Sequence, residues 1–590
     1  MGYSADSTVA DALRDPAARA VVERHLPGAL DAPLLRHLPL MQLGAVAHFS
    51  LFAGEEPRDL STMWAELGAL EGMPDAVGVQ PEPVPAPGAI ATGAPAQQAT
   101  LRALGAAAPD GFTQWGVVEA ALTGPGSGNP FTEVELAAAF APAGAPSEEI
   151  VVGGFYDGDG AYLIRFQPPT AGDWSFVTRS NVDVLDGVRG RFVVASPAPG
   201  QHGPVRVADT FHFAHRDGTR FTPIGTTVYA WTHQGEELEE RTLRALAASP
   251  FRKVRMCIFP KSYLYNTGEP PRLPYERRGD GFDFSRFDPA FFRHLERRIL
   301  DLAALGVEAD LILFHSYDRW GFSNMPAWAD DHYLRYVTRR LAAFSNVWWS
   351  LANEYDLLRG KAEADWERFA VVVGAEDHVG HLMSIHNCFG FYDHSRPWVT
   401  HASIQRVDVY RTAENADDWR TQYGKPVVID ECAYEGDIDQ GWGNISGQEL
   451  IRRSWEGAVR GGYVTHGETY WNDREELWWS KGGELVGESP ARYAFLARIL
   501  AEAPGGVLEP LPSDWDARWA GTADHRIVYF GFERPRFRTL SMPPGTSWDV
   551  DVVDTWNMTV DTLPEPQHGR FVVQLPGREF MAVRLRRRAE

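Results

Sequence analysis

At 590 residues the chain is too long for one hydrophobic core, and roughly three to five domains are expected. A formal charge of -23 argues against a nucleic-acid partner, because phosphates would be repelled. The 44% hydrophobic and 12% aromatic content is globular, and no stretch approaches the ~18 uninterrupted apolar residues of a membrane span, so no membrane partner is expected either.

The N-terminus, Met1 to Asp6, lacks the basic segment and apolar core of a secretory signal. The three cysteines, Cys257, Cys388 and Cys432, are widely spaced and indicate neither a disulfide framework nor a zinc knuckle. A cytoplasmic location is therefore expected, and there the glycosylation triplets at Asn444 and Asn557 carry no meaning.

Residues 1–75 read as helices, with apolar residues at mixed three- and four-residue spacings over 16–30 and 34–51. This segment is expected to pack against the body or a second subunit, which leaves homo-oligomerisation open. Within 76–111, proline alternates with other residues from Gln80 to Gly88, the composition of a stiff extended linker. From 112 to 205 short β-prone runs are punctuated by turn clusters such as Gly124-Pro125-Gly126-Ser127-Gly128, and a β-sandwich is expected. From 206 to 505 strand-like and helix-like runs alternate. Candidate strands are 221–228, 253–259, 309–314, 347–351, 382–385, 398–402, 426–429 and 463–465, so the fold class is α/β, a (β/α)8 TIM barrel. No glycine-rich phosphate fingerprint follows any of them, which disfavours a doubly wound sheet. After 506 three strand-like runs separated by Pro543-Pro544-Gly545 and Leu563-Pro564-Glu565-Pro566 predict a small C-terminal β domain.

Two of the barrel runs end in carboxylates. Val347-Trp348-Trp349-Ser350-Leu351-Ala352 closes on Asn353-Glu354, and Pro426-Val427-Val428-Ile429 closes on Asp430-Glu431. The C-terminal ends of barrel strands carry the chemistry in this architecture, and acid/base-assisted cleavage of a glycosidic bond requires two carboxylates. Strand alternation turns Asp430 to the opposite face from Glu431, so Asp430 is expected to be structural. Glu435, beyond the strand end, is an alternative nucleophile or a sugar-hydroxyl ligand. Other polar groups at strand ends are Arg255, His315, His386, Asn387, Gln405, His466 and Glu468. Arg255 could keep a nucleophile ionised by charge pairing, and an ordinary buried ion pair would suit it equally. Trp231, Tyr317, Trp320, Trp442, Trp471, Trp478 and Trp479 lie beside these ends, and their flat faces suit the C–H faces of a sugar.

The pattern Trp349-x-x-x-Asn353-Glu354 with a strand-seven glutamate resembles the retaining glycoside hydrolases of clan A. The segment from Gly225 to His233, Gly-Thr-Thr-Val-Tyr-Ala-Trp-Thr-His, looks like the opening of the apiosidase-like barrels, whose flanking β modules are also similar. The resemblance covers about 110–590. It implies that Glu354 is the general acid/base, Glu431 the nucleophile and Asn353 the partner of a sugar 2-hydroxyl, in a two-glutamate double displacement on a carbohydrate substrate with no cofactor and no metal. The substrate-binding set expected around them is Asn353, Arg255, His315, His386, Gln405, His466, Glu468, Trp231, Trp320 and Trp471. Two rivals stay open. His378, His381, His386, His394 and His401 crowd one segment, as in a metal-dependent hydrolase, although their spacing matches no standard site. A non-catalytic carbohydrate-binding barrel would keep the aromatics and need neither glutamate.

Overall fold

The computed structural model describes residues 2–32, 35, 38–52, 59–70, 97–105, 111–144, 147–406 and 412–588. The proline-alternating stretch expected to be a linker lies outside the described residues. Eight parallel strands of a (β/α)8 barrel follow one another along the chain: β1 Gly225–Thr227, β2 Lys253–Cys257, β3 Glu308–His315, β4 Val347–Asn353, β5 Met383–Ser384, β6 Ala402–Gln405, β7 Val427–Glu431 and β8 Tyr463–Val464. The chain divides into two compact units, Met1–Val205 with Thr232–Gln234 and Cys257–Leu382, and Arg206–Trp231 with Gly235–Met256 and Met383–Glu590.

In the first unit β3 and β4 run in parallel register, with Ala309 opposite Val347 and His315 opposite Asn353. Every residue of both strands is buried, which explains their apolar, non-alternating sequence. The N-terminal segment forms helices Val9–Arg14, Pro16–His25, Leu43–Phe52 and Ser61–Gly68. Thr8 and Asp11 close a capping box on the first, and Asp15 caps the second ahead of Pro16. The sandwich core gathers Val118, Phe140, Ile164, Phe166, Trp174 and Phe192 between antiparallel strands. It begins earlier than composition suggests. Thr100–Leu104 pairs along its whole length with Val117–Thr123, inside the stretch that reads as linker.

The sandwich is anchored by buried ions. Arg165 reaches Glu119 within the sandwich at 2.8 Å and Glu296 on helix Pro289–Ala304 at 2.7 Å. Arg340 on helix Ala327–Leu341 reaches the same Glu296 at 2.5 Å and Asp157 of the sandwich at 2.7 Å. Each charge therefore has a partner, without which burying it would cost several kcal/mol or more.

In the second unit β1 pairs with β2, and β7 lies between β6 and β8, all in parallel. His466 N–H donates to Gly225 O at 2.8 Å and Thr227 N–H to His466 O at 2.9 Å, so the segment after β8 joins β1. β6 starts later than expected. Trp398 and Val399 belong instead to a turn beside Pro397, closed by Val399 N–H on Arg396 O at 3.1 Å. The C-terminal β domain packs Ile527, Tyr529, Val553 and Ala582 against Trp455, Phe495, Leu496 and Ile499 of helices Gly447–Ala458 and Ser489–Glu502. Among the described residues no helix is long and apolar enough to cross a membrane.

Candidate active site

Glu354 follows the last residue of β4 and takes φ +53°, ψ +56°. A residue with a Cβ adopts that left-handed conformation only when its surroundings impose it, at a cost of about 1–3 kcal/mol, and such strain gathers at functional positions. Its carboxylate accepts hydrogen bonds from the Tyr317 hydroxyl and, at 3.0 Å, from Asn353 Nδ2. Tyr317 is held edge-on by Tyr263 at 5.2 Å and lies under the Lys261 ammonium, 4.2 Å from its ring centroid. His315 ends β3 and bonds Phe259 O through Nε2 at 3.1 Å; burial pushes its pKa down to about 3, so it is neutral. Trp320 meets Glu269 through Nε1 at 3.3 Å. With His233, Gln234, Lys261 and Asn266 it lines a small cavity of about 40 Å³.

Glu431 ends β7 and accepts a hydrogen bond from the Tyr229 hydroxyl, just beyond β1. Burial raises the Tyr229 pKa well above its ordinary value and the Glu431 charge adds to it, so the phenol stays a donor. Tyr434 is raised by the same two causes. Trp442 and Trp479, 5.0 Å apart, and Tyr434, 5.9 Å from Trp479, form an aromatic wall beside Tyr229. The chain after Glu431 is pinned by Arg453, which donates to Cys432 O, and by a left-handed Ala433 at φ +67°.

Asp430 is wholly occupied by its neighbours. It binds Lys253 Nζ at 2.7 Å, Ser403 Oγ at 2.6 Å and Thr465 Oγ1 at 2.8 Å. Burial works against its charge, but Lys253 and Arg255 outweigh it and hold the carboxyl well below the usual range. That supports a structural role, though not by plain alternation. The register between β6 and β7 shifts from Ile404 opposite Ile429 to Gln405 opposite Glu431, leaving Asp430 as the extra residue of a bulge. Arg255 is fully buried and its charge acts on both Asp430 and Tyr229.

The remaining expected ligands fall into different surroundings. Gln405 N–H bonds Asn387 Oδ1 at 3.1 Å, and Asn387 Nδ2 returns to Gln405 O at 3.1 Å. His386 is completely buried, and burial with the Arg255 charge keeps it neutral. Trp231 is also completely buried, with its N–H on Met256 Sδ at 3.3 Å, and Trp478 donates to Thr226 Oγ1 at 2.9 Å. Trp471 is exposed, with Lys481 over its ring at 5.8 Å. His466 and Glu468 turn toward Glu435. Glu435 itself accepts from Glu488 N–H at 2.7 Å and Ser489 N–H at 3.0 Å, at the start of helix Ser489–Glu502, and these bonds hold it toward that helix end. The crowd of histidines disperses: His381 bonds Asp377 and Phe344 O, while His378 accepts Gln167 N–H. The sequence alone does not reveal the Tyr229 hydroxyl as the partner of Glu431, or Tyr434 as the neighbour on which the Glu431 charge acts. Their signal is place, one just after β1 and the other three residues past the glutamate.

Comparison with known proteins accords with this geometry. The family model described as the apiosidase-like catalytic domain matches residues 208–491. Two families described only as domains of unknown function match the flanking modules, DUF5060 over 111–181 and DUF5605 over 515–586. A Bacteroides vulgatus structure described as a "putative glycoside hydrolase" is 37% identical with a TM-score of 0.77, covering 81% of this chain and 99% of its own. A family 5 glycoside hydrolase from the same organism is 15% identical with a TM-score of 0.51, covering 65% of this chain and 93% of its own, and shares the fold. Among curated proteins none matches the chain. With one relative at this identity aligned over nearly all of its length, and the catalytic-domain model on the barrel, the chain belongs to the glycoside hydrolases with an apiosidase-like catalytic domain.

Proposed function

We propose that this glycoside hydrolase removes a terminal sugar from oligosaccharides or small glycosides with retention of anomeric configuration. In that reading Glu431 attacks the anomeric carbon while Glu354 protonates the departing oxygen. Glu354 then takes a proton from water as water displaces Glu431 from the glycosyl-enzyme. The observation that carries the reading is shared by both residues: each glutamate stands at the C-terminal end of a barrel strand and is met by a tyrosine hydroxyl. A tyrosine on a carboxylate nucleophile orients it and can follow the charge as the ester forms and breaks. A carboxylate that must alternate between acid and base gains from donors fixed in place, and Tyr317 and Asn353 supply them.

The test is turnover of a panel of aryl glycosides by the wild type, Glu354→Gln and Glu431→Gln, with the first-formed anomer read by NMR. Loss of about 10³-fold or more in both variants, and a product of unchanged configuration, is expected. Inverted product, or a Glu431→Gln variant with near wild-type turnover, would overturn the assignment.

A further inference from the structure

Past the ends of β7 and β8, and apart from the two proposed catalytic glutamates, three buried side chains converge on one point. One carboxylate oxygen each of Glu435 and Glu468, and one ring nitrogen of His466, lie within 4.8 Å of one another. We propose that Glu435, Glu468 and His466 form a binding site for a divalent transition-metal ion that ties the chain after β7 to the end of β8 and to helix Ser489–Glu502.

The first argument is charge. Both carboxylates are at most 1% exposed, and neither has a lysine or arginine partner among the described residues. Each is held instead by backbone donors. Val486 N–H and Gly487 N–H meet the two oxygens of Glu468 at 2.7 and 3.0 Å. Glu435 receives Glu488 N–H, Ser489 N–H and the Tyr470 hydroxyl, the last at 3.1 Å. Those donors fix the orientation of the carboxylates without neutralising them, and two facing buried anions call for a cation or a proton.

The second argument is the imidazole. His466 is completely buried, its Nδ1 is engaged by Thr226 Oγ1 at 2.8 Å, and its ring stacks on Phe251 at 4.5 Å. Nε2 has no hydrogen-bond partner and stands 3.8 Å from Glu468 Oε2, too far for a hydrogen bond. A metal ion at ~2.0–2.2 Å from each of two ligand atoms spans such a gap. With Nδ1–H donating to Thr226 Oγ1, Nε2 is left as the bare nitrogen, and this is the outer hydrogen bond that metal-binding imidazoles use to fix ring and tautomer.

The third argument is space. A Cβ at Gly487 would stand 2.6 Å from Glu435 Oε2 and 2.6 Å from Glu468 Oε2, so only glycine lets both oxygens come together there. Gly487 is half-buried between exposed Val486 and Glu488. Two carboxylate oxygens with one imidazole nitrogen suit zinc or manganese better than calcium, which asks for six or more oxygens. Glu435 lies four residues past Glu431, so a bound ion would brace the segment that follows that strand end.

The experiment uses tag-free, full-length protein stripped with EDTA, dialysed, and then titrated with Zn²⁺ or Mn²⁺. Binding is read by calorimetry, metal content by mass spectrometry and stability by Tm. One ion per chain and a Tm raised by several degrees are expected. Gly487→Ala and His466→Gln should weaken binding by about 10-fold or more while the far-ultraviolet spectrum stays native. Should a variant fail to fold, the response of the stripped wild type to metal decides. The proposal is overturned if stripped wild type neither binds nor is stabilised. It is likewise overturned if both folded variants bind as the wild type does, which would place the ion elsewhere. A stripped wild type indifferent to metal, with a Glu468→Gln variant of raised Tm, would show a shared proton in place of an ion.

Discussion

At the scale of single residues, this barrel treats its strand-end carboxylates in three ways. Asp430 is saturated by Lys253, Ser403 and Thr465, and Glu435 is held by backbone donors at a helix N-terminus. Glu354 and Glu431 receive tyrosine hydroxyls. A hydrogen bond to an ionised group is worth about 1.5–3 kcal/mol, so under the proposed mechanism removing one of these hydroxyls should cost roughly 10- to 100-fold in rate. Tyr229→Phe and Tyr317→Phe are each expected to lower kcat/KM by that factor on whichever glycoside the enzyme cleaves. Both should melt within a few degrees of the wild type, since the rings remain to pack. Unchanged kinetics in both variants would reduce these tyrosines to packing residues.

At the scale of elements, β3 and β4 show what two-sided burial does to titration. Glu308 opens β3 with its carboxyl accepting Trp348 Nε1–H at 2.9 Å; burial pushes its pKa up to about 8, against an opposing pull from that hydrogen bond. A carboxyl raised above its unfolded value of about 4.3 is bound to a proton in the native state over a pH range where the unfolded chain has lost it. Its contribution to stability is therefore complete below pH ~4.3 and falls as pH rises toward 8. Glu308→Gln keeps an acceptor for Trp348 and carries no charge. The variant is expected to melt several degrees above the wild type at pH 8 and close to it at pH 4, as thermal denaturation at the two pH values would show. A wild type whose Tm advantage over the variant grew with pH would reverse the sign and refute the argument.

At the scale of the whole molecule, the sandwich and the barrel helices of the first unit share one buried ion network. Burial raises the cost of charging Glu296, but Arg165 and Arg340 outweigh it and bring its pKa down to about 2. The sign is opposite to that of Glu308. A depressed carboxyl stabilises above its unfolded pKa of about 4.3, and this stability is lost as pH falls toward 2. Glu296→Gln leaves two arginines without their shared partner and should destabilise by about 3–5 kcal/mol at neutral pH. The gap should close as pH approaches 2, which denaturant titrations of both proteins would measure. A gap that is constant with pH would mean that lost packing, and not charge, sets the cost.

Much of this organisation was legible in the chain itself. Strands buried on both faces must be apolar throughout, so β3, β4 and β7 stand out against polar loops, and the Asn353-Glu354 and Asp430-Glu431 endings mark where the apolar environment stops. Alternation of strands with amphipathic helices was enough for the barrel, and turn residues were enough for both β modules. Boundaries were less legible: Thr100–Leu104 is a sandwich strand in linker-like composition, because its pairing with Val117–Thr123 outweighs local propensity. What tertiary structure alone decided is the partner of each ionisable group. Sequence places Asp430, Glu431 and Glu435 within six residues and cannot tell them apart. Lys253, Tyr229 and Ser489 come from segments remote in the chain, and only folding brings one to each carboxylate. The charge and hydrogen bonding of a buried group depend on neighbours a few ångströms away in space, which no local pattern encodes.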